Sequence, residues 1–234
     1  GQQELADYVR RRTGQLDDHA YVLAGEGEFH GSVTSFHAVG LADPEAMSDS
    51  TREALFAQLR KASFLGVRDE IGANFLEEAG FSVSRMPCPL SVLPQVCGRR
   101  LREHRDSEAL EAIRDQFPNG WIAVEIGEIA ARDENRIAEA LREVSERENL
   151  GLVFFDARGE ESGPRSRRLR DWVNTFPEWN AAEFSSTHIW EVASMLLHSR
   201  LYCGSSLDCR ILCLAGGIAR INFPTGRADT RSYC

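Results

Sequence analysis

The stretch ASFLGVRDEIGANFLEEAGFSVSRMPCPLSVLP, residues 62–94, contains in order the signals of a strand, a helix and a second strand. Phe64–Val67 is a short apolar run that predicts a buried strand. Apolar residues follow at helical spacing over 71–79, and Gly80 ends the predicted helix. Another strand is predicted over 81–86, before a proline-bounded exit. The stretch therefore predicts a βαβ unit.

The second half of the chain continues this alternation. Apolar strands are predicted at GWIAVEIG (120–127), LGLVFFDA (150–157), RLYCG (200–204) and IARINFP (218–224), with helices between them. Strands that alternate with helices favour a parallel sheet covered by helices on both faces. The highly charged helical segment between 97 and 118 is interpreted as the crossing between two α/β domains, at 1–115 and 116–234.

Composition and charge exclude several classes of protein. The chain has 234 residues, of which 42% are hydrophobic, and a formal net charge of −9. This charge argues against non-specific binding to a nucleic-acid backbone, which the averaged field would repel. No run of 18 apolar residues and no signal-peptide pattern are present in the sequence, so no membrane span and a cytoplasmic location are expected. A homodimer is among the assemblies that the sequence allows.

Cysteine spacing favours free thiols over disulfides. The chain contains no CxxC pair among its six cysteines, which are Cys88, Cys97, Cys203, Cys209, Cys213 and Cys234. A metal site formed by the cluster at 203–213 with His198 is an alternative, but free cysteine commonly behaves as a small core residue. No motif requires a metal or an organic cofactor, so none is expected.

Three stretches together resemble the polysaccharide pyruvyl transferase family. They are YVLAGEGEF (21–29), FLGVRDEIGANFLEEAGFSVSRMPCPLSVL (64–93) and LLHSRLYCGSSLDCRILCLAGGIARINFP (196–224). The resemblance implies two Rossmann-like domains facing a cleft, as in GT-B glycosyltransferases. It also implies transfer of the enolpyruvyl group of phosphoenolpyruvate to a sugar or sugar nucleotide, forming a pyruvate ketal in glycan or exopolysaccharide biosynthesis.

The closing block departs from the family pattern at its functional motif. Where the family has Arg-Leu-His, this chain has Ser206, Leu207 and Asp208. An ionised Asp208 would repel a trianionic donor by about 1 kcal/mol at 4 Å even in water. Asp208 is therefore the candidate catalytic acid only if its site raises its pKa; the alternative is that it only stabilises the start of a helix.

Positive and hydroxyl groups near the turn that follows the predicted strand RLYCG (200–204) are candidates for binding the anionic donor. Arg200 and Arg210 flank the turn, and the hydroxyls and backbone amides of Ser205 and Ser206 could cradle a phosphate. Arg68 is a further candidate because it follows a predicted strand at the end where α/β folds bind ligands. The alternative for Arg68 is an ion pair with Asp69 that holds the next helix.

The glycine-rich loop near the start supplies a second group of candidates. Glu26, Glu28 and His30 follow a predicted buried strand and could contact a sugar. The alternative is a tight turn shaped by glycines, with both acids solvated. His37 is interpreted as a structural histidine.

The departures leave two other functions open. One is a non-catalytic relative that binds a sugar or phosphate ligand, and the other is a glycosyltransferase that uses a nucleotide sugar. The family's usual opening strand, with its Gly-Asn and Gly-Asp loop, is not apparent in the sequence. The expectation is a truncated relative or a chain seen only in part.

Overall fold

The computed structural model describes residues 33–41, 44, 47–125, 131–157, 168, 171–177 and 180–223. The described residues up to Cys88 form one compact unit, and those from Pro89 onward form a second. Each unit contains its own sheet, and every strand pairing in both sheets is parallel. The expected α/β class with parallel sheets is therefore confirmed.

The first unit is built around the predicted βαβ stretch. Its sheet has the order β1 (Ser35–Val39), β2 (Phe64–Val67) and β3 (Ser84–Arg85). Helix α1 (Asp49–Leu59) precedes β2, and helix α2 (Glu70–Glu78) connects β2 to β3. The sequence pattern predicted β2, α2 and a longer β3; it did not predict β1, whose residues are mostly exposed or half-buried.

Local signals explain where the two helices of this unit begin and end. Ser48 caps α1, since its hydroxyl accepts from the backbone N–H of Thr51. Asp69 caps α2 in the same way, and Gly80 follows that helix with a φ of 82°. The apolar faces of both helices cover β2 in a shared core formed by Leu55, Leu59, Leu65, Val67, Ala73 and Leu76.

Short helices lead from this unit into the second. A 3-10 turn (Pro89–Val92) is followed by α3 (Leu93–Val96), α4 (Gly98–Arg105) and α5 (Glu108–Gln116). Leu101 of α4 and Leu110 of α5 belong to the core of the second unit. The boundary between the two compact units therefore follows Cys88, whereas the boundary predicted from the sequence, after residue 115, places these helices in the first domain.

The second unit has a five-stranded sheet in the order β6-β5-β4-β7-β8. Its central strand is β4 (Trp121–Glu125), next to β5 (Gly151–Phe155) on one side and β7 (Leu201–Gly204) on the other. The outer strands are β6 (Ala181–Glu183) and β8 (Ala219–Asn222). Strands β4 and β5 are buried at every residue, as an apolar run in a covered parallel sheet predicts.

Helices cover this sheet on both faces. Helices α4, α5, α7 (Ile189–Leu197) and α8 (Leu207–Ala215) contribute to the core on one face. Helix α6 (Ala131–Glu148) contributes to the core on the other. Alternate strand residues supply the two cores: Ala123 faces the first, and Ile122 faces the second. No described helix is both long enough and apolar enough to cross a bilayer.

Two local features of the second unit do not follow from residue preferences. Strand β6 was not predicted, because AAE offers three residues without β-branched or aromatic character. Helix α7 begins at Ile189 with His188 at its N-cap, although the preceding Ser186 and Thr187 are residue types that more often cap helices. The Ser186 hydroxyl instead interacts with Glu191 and with the backbone N–H of His188.

A glycine substitution tests the packing between α5 and β5. A Cβ at Gly151 would lie 2.1 Å from Cδ1 of the buried Phe117 ring. We expect Gly151→Ala to lower the free energy of unfolding by about 1–3 kcal/mol through overpacking. Gly98→Ala is the matched control, because its nearest contact is 3.4 Å away on the flexible side chain of Arg102. Urea unfolding of both variants checks this, and equal stabilities would contradict the packing account.

Candidate functional site

The candidate site lies where the order of the second sheet changes direction. From β4 the chain adds β5 and β6 on one side, and then returns to add β7 and β8 on the other side. In open parallel sheets this switch point opens a crevice at the carboxyl ends of the two central strands, and ligands bind there. The residues at these ends are Glu125 of β4 and Gly204 of β7.

A buried carboxylate joins the two strand ends. Glu125 is 4% exposed, and its Oε2 accepts hydrogen bonds from Ser205 N at 2.8 Å, Ser205 Oγ at 2.9 Å and Ser206 N at 3.0 Å. Three donors converging on one ionisable oxygen form a set of charge-assisted bonds. Glu125 therefore fixes the conformation of the turn that follows β7.

The strand before the turn leaves room for this contact. A Cβ at Gly204 would lie 2.3 Å from the Tyr202 hydroxyl and 2.8 Å from Cβ of Glu125, so only glycine fits. The Tyr202 hydroxyl donates to the carbonyl of Ser206 at 3.5 Å. Burial raises the pKa of Tyr202, and the phenol stays a neutral donor.

Helix α8 begins directly at the turn. The Ser206 hydroxyl caps it by accepting from the backbone N–H of Cys209 at 3.4 Å. Asp208 lies in the first helical turn and is exposed, where the helix dipole favours a negative charge. The site therefore presents a solvent-accessible carboxylate at the carboxyl edge of the sheet.

Arg210 lies beneath the turn, away from solvent. It is 3% exposed, and its Nη2 donates to the carbonyl of Ser205 at 3.2 Å and to that of Phe223 at 3.4 Å. These bonds connect the turn after β7 to the residue that follows β8. In this conformation Arg210 positions the backbone of both segments.

The donors expected to cradle a phosphate are used inside the protein. The amides of Ser205 and Ser206, with the Ser205 hydroxyl, all donate to Glu125. The carboxylate thus occupies the position that a bound anion would take at this turn. Glu125 is not among the predicted site residues, although a single acidic residue at the end of an otherwise apolar buried strand was a signal visible in the sequence.

The remaining predicted site residues lie elsewhere. Arg68 belongs to the first unit, directly after β2, and is packed against Gly40, where a Cβ would approach Arg68 Nε to 2.5 Å. Arg200 precedes β7 and is exposed at the amino edge of the second sheet, opposite the turn. The loop candidates Glu26, Glu28 and His30 lie outside the described residues.

Asp69 has a structural role in the first unit. It is 5% exposed, and its Oδ1 accepts from the backbone N–H of Gly72 at 2.7 Å. This bond satisfies one of the free amides at the start of α2. Asp69 therefore stabilises the start of α2 by capping it.

The cysteine cluster forms core, not a metal centre, in the part of the chain described. Cys203, Cys209 and Cys213 are buried, and burial raises the pKa of each thiol to about 12. Among the described residues, the one group of three with metal-ligand atoms close together is His104, His188 and Glu191.

Comparison with known proteins identifies the family and the fold. The family model described as polysaccharide pyruvyl transferase matches residues 13–225. No curated protein matches the chain significantly. Similar solved structures include UDP-N-acetylglucosamine 2-epimerases from Rickettsia bellii (11% identity, TM-score 0.55, 83% of this chain and 50% of that one) and Neisseria meningitidis (11%, 0.54, 81% and 52%).

A third similar structure is the trehalose 6-phosphate synthase of Burkholderia multivorans, with 12% identity and a TM-score of 0.51 over 91% of this chain and 60% of that one. These neighbours have the GT-B fold, which confirms the expected fold class. The chain spans about half to three fifths of the length of the three structures.

Replacing the buried carboxylate tests its role in the turn. Glu125→Ala removes the acceptor of three hydrogen bonds, and we expect a loss of about 3 kcal/mol in the free energy of unfolding. Glu125→Gln keeps a carbonyl acceptor of the same shape and should lose about half as much. Urea unfolding measures both, and an alanine variant as stable as the parent would contradict the assignment.

Thiol labelling tests the burial of the cysteine cluster. The thiolate is the form of cysteine that reacts. Raising the pKa of these thiols from 9.0 to about 12 lowers the fraction present as thiolate near pH 8 by about a thousandfold. Peptide mapping after iodoacetamide treatment should show the half-buried Cys97 modified well before Cys203, Cys209 and Cys213. Equal modification rates would show that these thiols are accessible.

Proposed function

The chain belongs to the polysaccharide pyruvyl transferase family, and we propose that it transfers the enolpyruvyl group of phosphoenolpyruvate to a sugar in glycan biosynthesis. The observation that carries this proposal is the family match, which extends over residues 13–225 and so includes both strand-end regions described above. The crevice at the β4–β7 switch point supports it, because it lies where ligands bind in such sheets.

The proposed reaction makes a cyclic ketal from two sugar hydroxyls. Both hydroxyl oxygens form bonds to C2 of phosphoenolpyruvate, and the bond from C2 to the phosphate oxygen breaks. One hydroxyl proton goes to C3, which becomes a methyl group, and the other leaves with the phosphate. The reaction therefore needs an anion-binding group, an acceptor site and a side chain that moves a proton.

The acceptor sugar is proposed to bind at the edge of the second sheet. Ser206 is the N-cap of α8, and Asp208 lies in its first turn. Both side chains carry oxygen atoms that can accept hydrogen bonds from sugar hydroxyls. Asp208 is the candidate general base, because an exposed carboxylate can take the proton of a bound hydroxyl. Glu125 and Arg210 act as positioning residues that hold the turn.

The donor anion requires a cation, and Arg68 remains a candidate for binding it. It follows β2 at the carboxyl edge of the first sheet, where ligands bind in parallel sheets. Arg210 already donates to two backbone carbonyls. Arg200 lies at the amino edge of its sheet, so we leave it out of the proposed anion site.

A second candidate function is binding of a sugar without pyruvyl transfer. The observation that favours it is the internal use of the turn: Glu125 occupies the amides of Ser205 and Ser206, and Asp208 stands where the family has histidine. Both features place carboxylates in a position where a trianionic donor would be repelled. A diverged relative of this kind would bind its ligand and release no phosphate.

Calorimetric titration with phosphoenolpyruvate tests the leading proposal. We expect binding that weakens at least tenfold in Arg68→Ala, because a charge-assisted contact to the anion is lost. Arg60→Ala is the matched control: Arg60 follows α1 and precedes β2, at the opposite edge of the same sheet. No binding of phosphoenolpyruvate would overturn the pyruvyl-transfer proposal, and nucleotide sugars titrated in parallel would reveal a glycosyl donor.

A double variant separates the two candidate functions. Ser206→Arg with Asp208→His restores the family pattern at the turn, at a cost of about 1 kcal/mol for the lost cap. Phosphate release from phosphoenolpyruvate is then followed with a panel of sugar acceptors. Turnover by the parent chain supports catalysis through Asp208, whereas turnover by the double variant alone indicates that the natural chain only binds.

A further inference from the structure

A group of metal-ligating side chains lies away from the turn, between α4 and α7. His104 is in the last turn of α4, His188 is the residue before α7, and Glu191 is in the first turn of α7. One nitrogen from each histidine and one carboxylate oxygen all lie within 4.8 Å of one another. The two imidazole rings are stacked, with centroids 4.5 Å apart and an interplanar angle of 28°.

The geometry points to a divalent transition-metal site formed by His104, His188 and Glu191, and Zn²⁺ is the ion that suits it best. Two imidazole nitrogens and one carboxylate oxygen form a ligand set that Zn²⁺ binds readily. Metal–ligand bonds of about 2.0–2.2 Å place tetrahedral ligand atoms about 3.4 Å apart. The three ligand atoms therefore need to approach one another by at most about 1.4 Å, and the His188 ring must turn out of the stack so that both in-plane nitrogen lone pairs point at one ion.

The surroundings allow this closure and orient the carboxylate. His188 is exposed, and its side chain makes no capping bond to α7, so it can rotate without loss of a contact that holds the helix. The Ser186 hydroxyl donates to Oε2 of Glu191 and accepts from the backbone N–H of His188. A hydroxyl bonded to a ligating carboxylate is a typical supporting partner in metal sites.

Arg105, the residue after His104 on α4, is paired with a carboxylate. Arg105 donates through Nε and Nη2 to the two carboxylate oxygens of Asp106, at 3.0 and 3.3 Å. With three protein ligands the site would keep at least one position for water. A bound ion would fasten the end of α4 to the start of α7, next to the existing bond from Ser194 Oγ to the Leu101 carbonyl at 2.8 Å.

The test is metal binding by the full chain without a histidine tag. Co²⁺ is titrated while its visible d–d bands are recorded, and Zn²⁺ is then added to displace it. We expect one Co²⁺ per chain, no thiolate-to-cobalt charge-transfer band, and displacement by Zn²⁺. A thiolate band would place the ion on cysteine and overturn the assignment, as would the absence of binding.

Substitution of the proposed side chains tests which of them bind the metal ion. His188→Ala and Glu191→Gln should each weaken Co²⁺ binding at least tenfold, and Ser186→Ala should weaken it about tenfold through the carboxylate. His37→Ala is the matched control, because His37 is an exposed histidine on β1 of the other unit. Zn²⁺ should also raise the midpoint of thermal unfolding in the parent and in His37→Ala, but not in His188→Ala.

Circular dichroism of the metal-free variants shows whether they are folded. His188→Ala is the informative variant, since the exposed side chain contributes no cap to α7. A folded His188→Ala that binds Co²⁺ as tightly as the parent would overturn the proposed site. A folded variant with weakened binding would support it.

Discussion

The buried carboxylate of Glu125 is the interaction on which the architecture of the site depends. Glu125 is the last residue of β4, the central strand. Its carboxylate accepts hydrogen bonds from the amide and hydroxyl of Ser205 and from the amide of Ser206, in the turn after β7. Gly204 is required because a side chain there would collide with Glu125 and Tyr202. Arg210 also holds this turn, since it donates to the carbonyl of Ser205. The position of α8, and therefore of Asp208, follows from this arrangement.

Charge determines what this edge can bind. A turn with two free amides and a free hydroxyl would favour a phosphate, but here a carboxylate already satisfies these donors. The exposed Asp208 adds a second negative group. Hydroxyl-rich ligands fit such a surface better than anions do, since carboxylates accept hydrogen bonds and repel negative charge. We therefore place the sugar acceptor at the carboxyl edge of the second sheet.

The sequence predicted most of the elements that carry strong periodic signals. Strand β2, helix α2 and the buried strands β4 and β5 follow from apolar runs and helical spacing. Strand β6 is three residues long and depends on its pairing with β5, which no local pattern reveals. The same holds for the site. Ser205, Ser206 and Asp208 were predicted as site residues from the local turn pattern, whereas Glu125, the partner of that turn, is 80 residues away in sequence.

Perturbation of backbone amide signals by ligand tests the central claim most directly. In a ¹H–¹⁵N correlation spectrum of the labelled chain, we expect a bound sugar acceptor to shift the signals of residues 204–208 and of Glu125. Residues at the amino edge, such as Gly120 and Arg200, should stay unchanged. Shifts confined to the amino edge, or spread without relation to the turn, would contradict the assignment of the functional site to the carboxyl ends of β4 and β7.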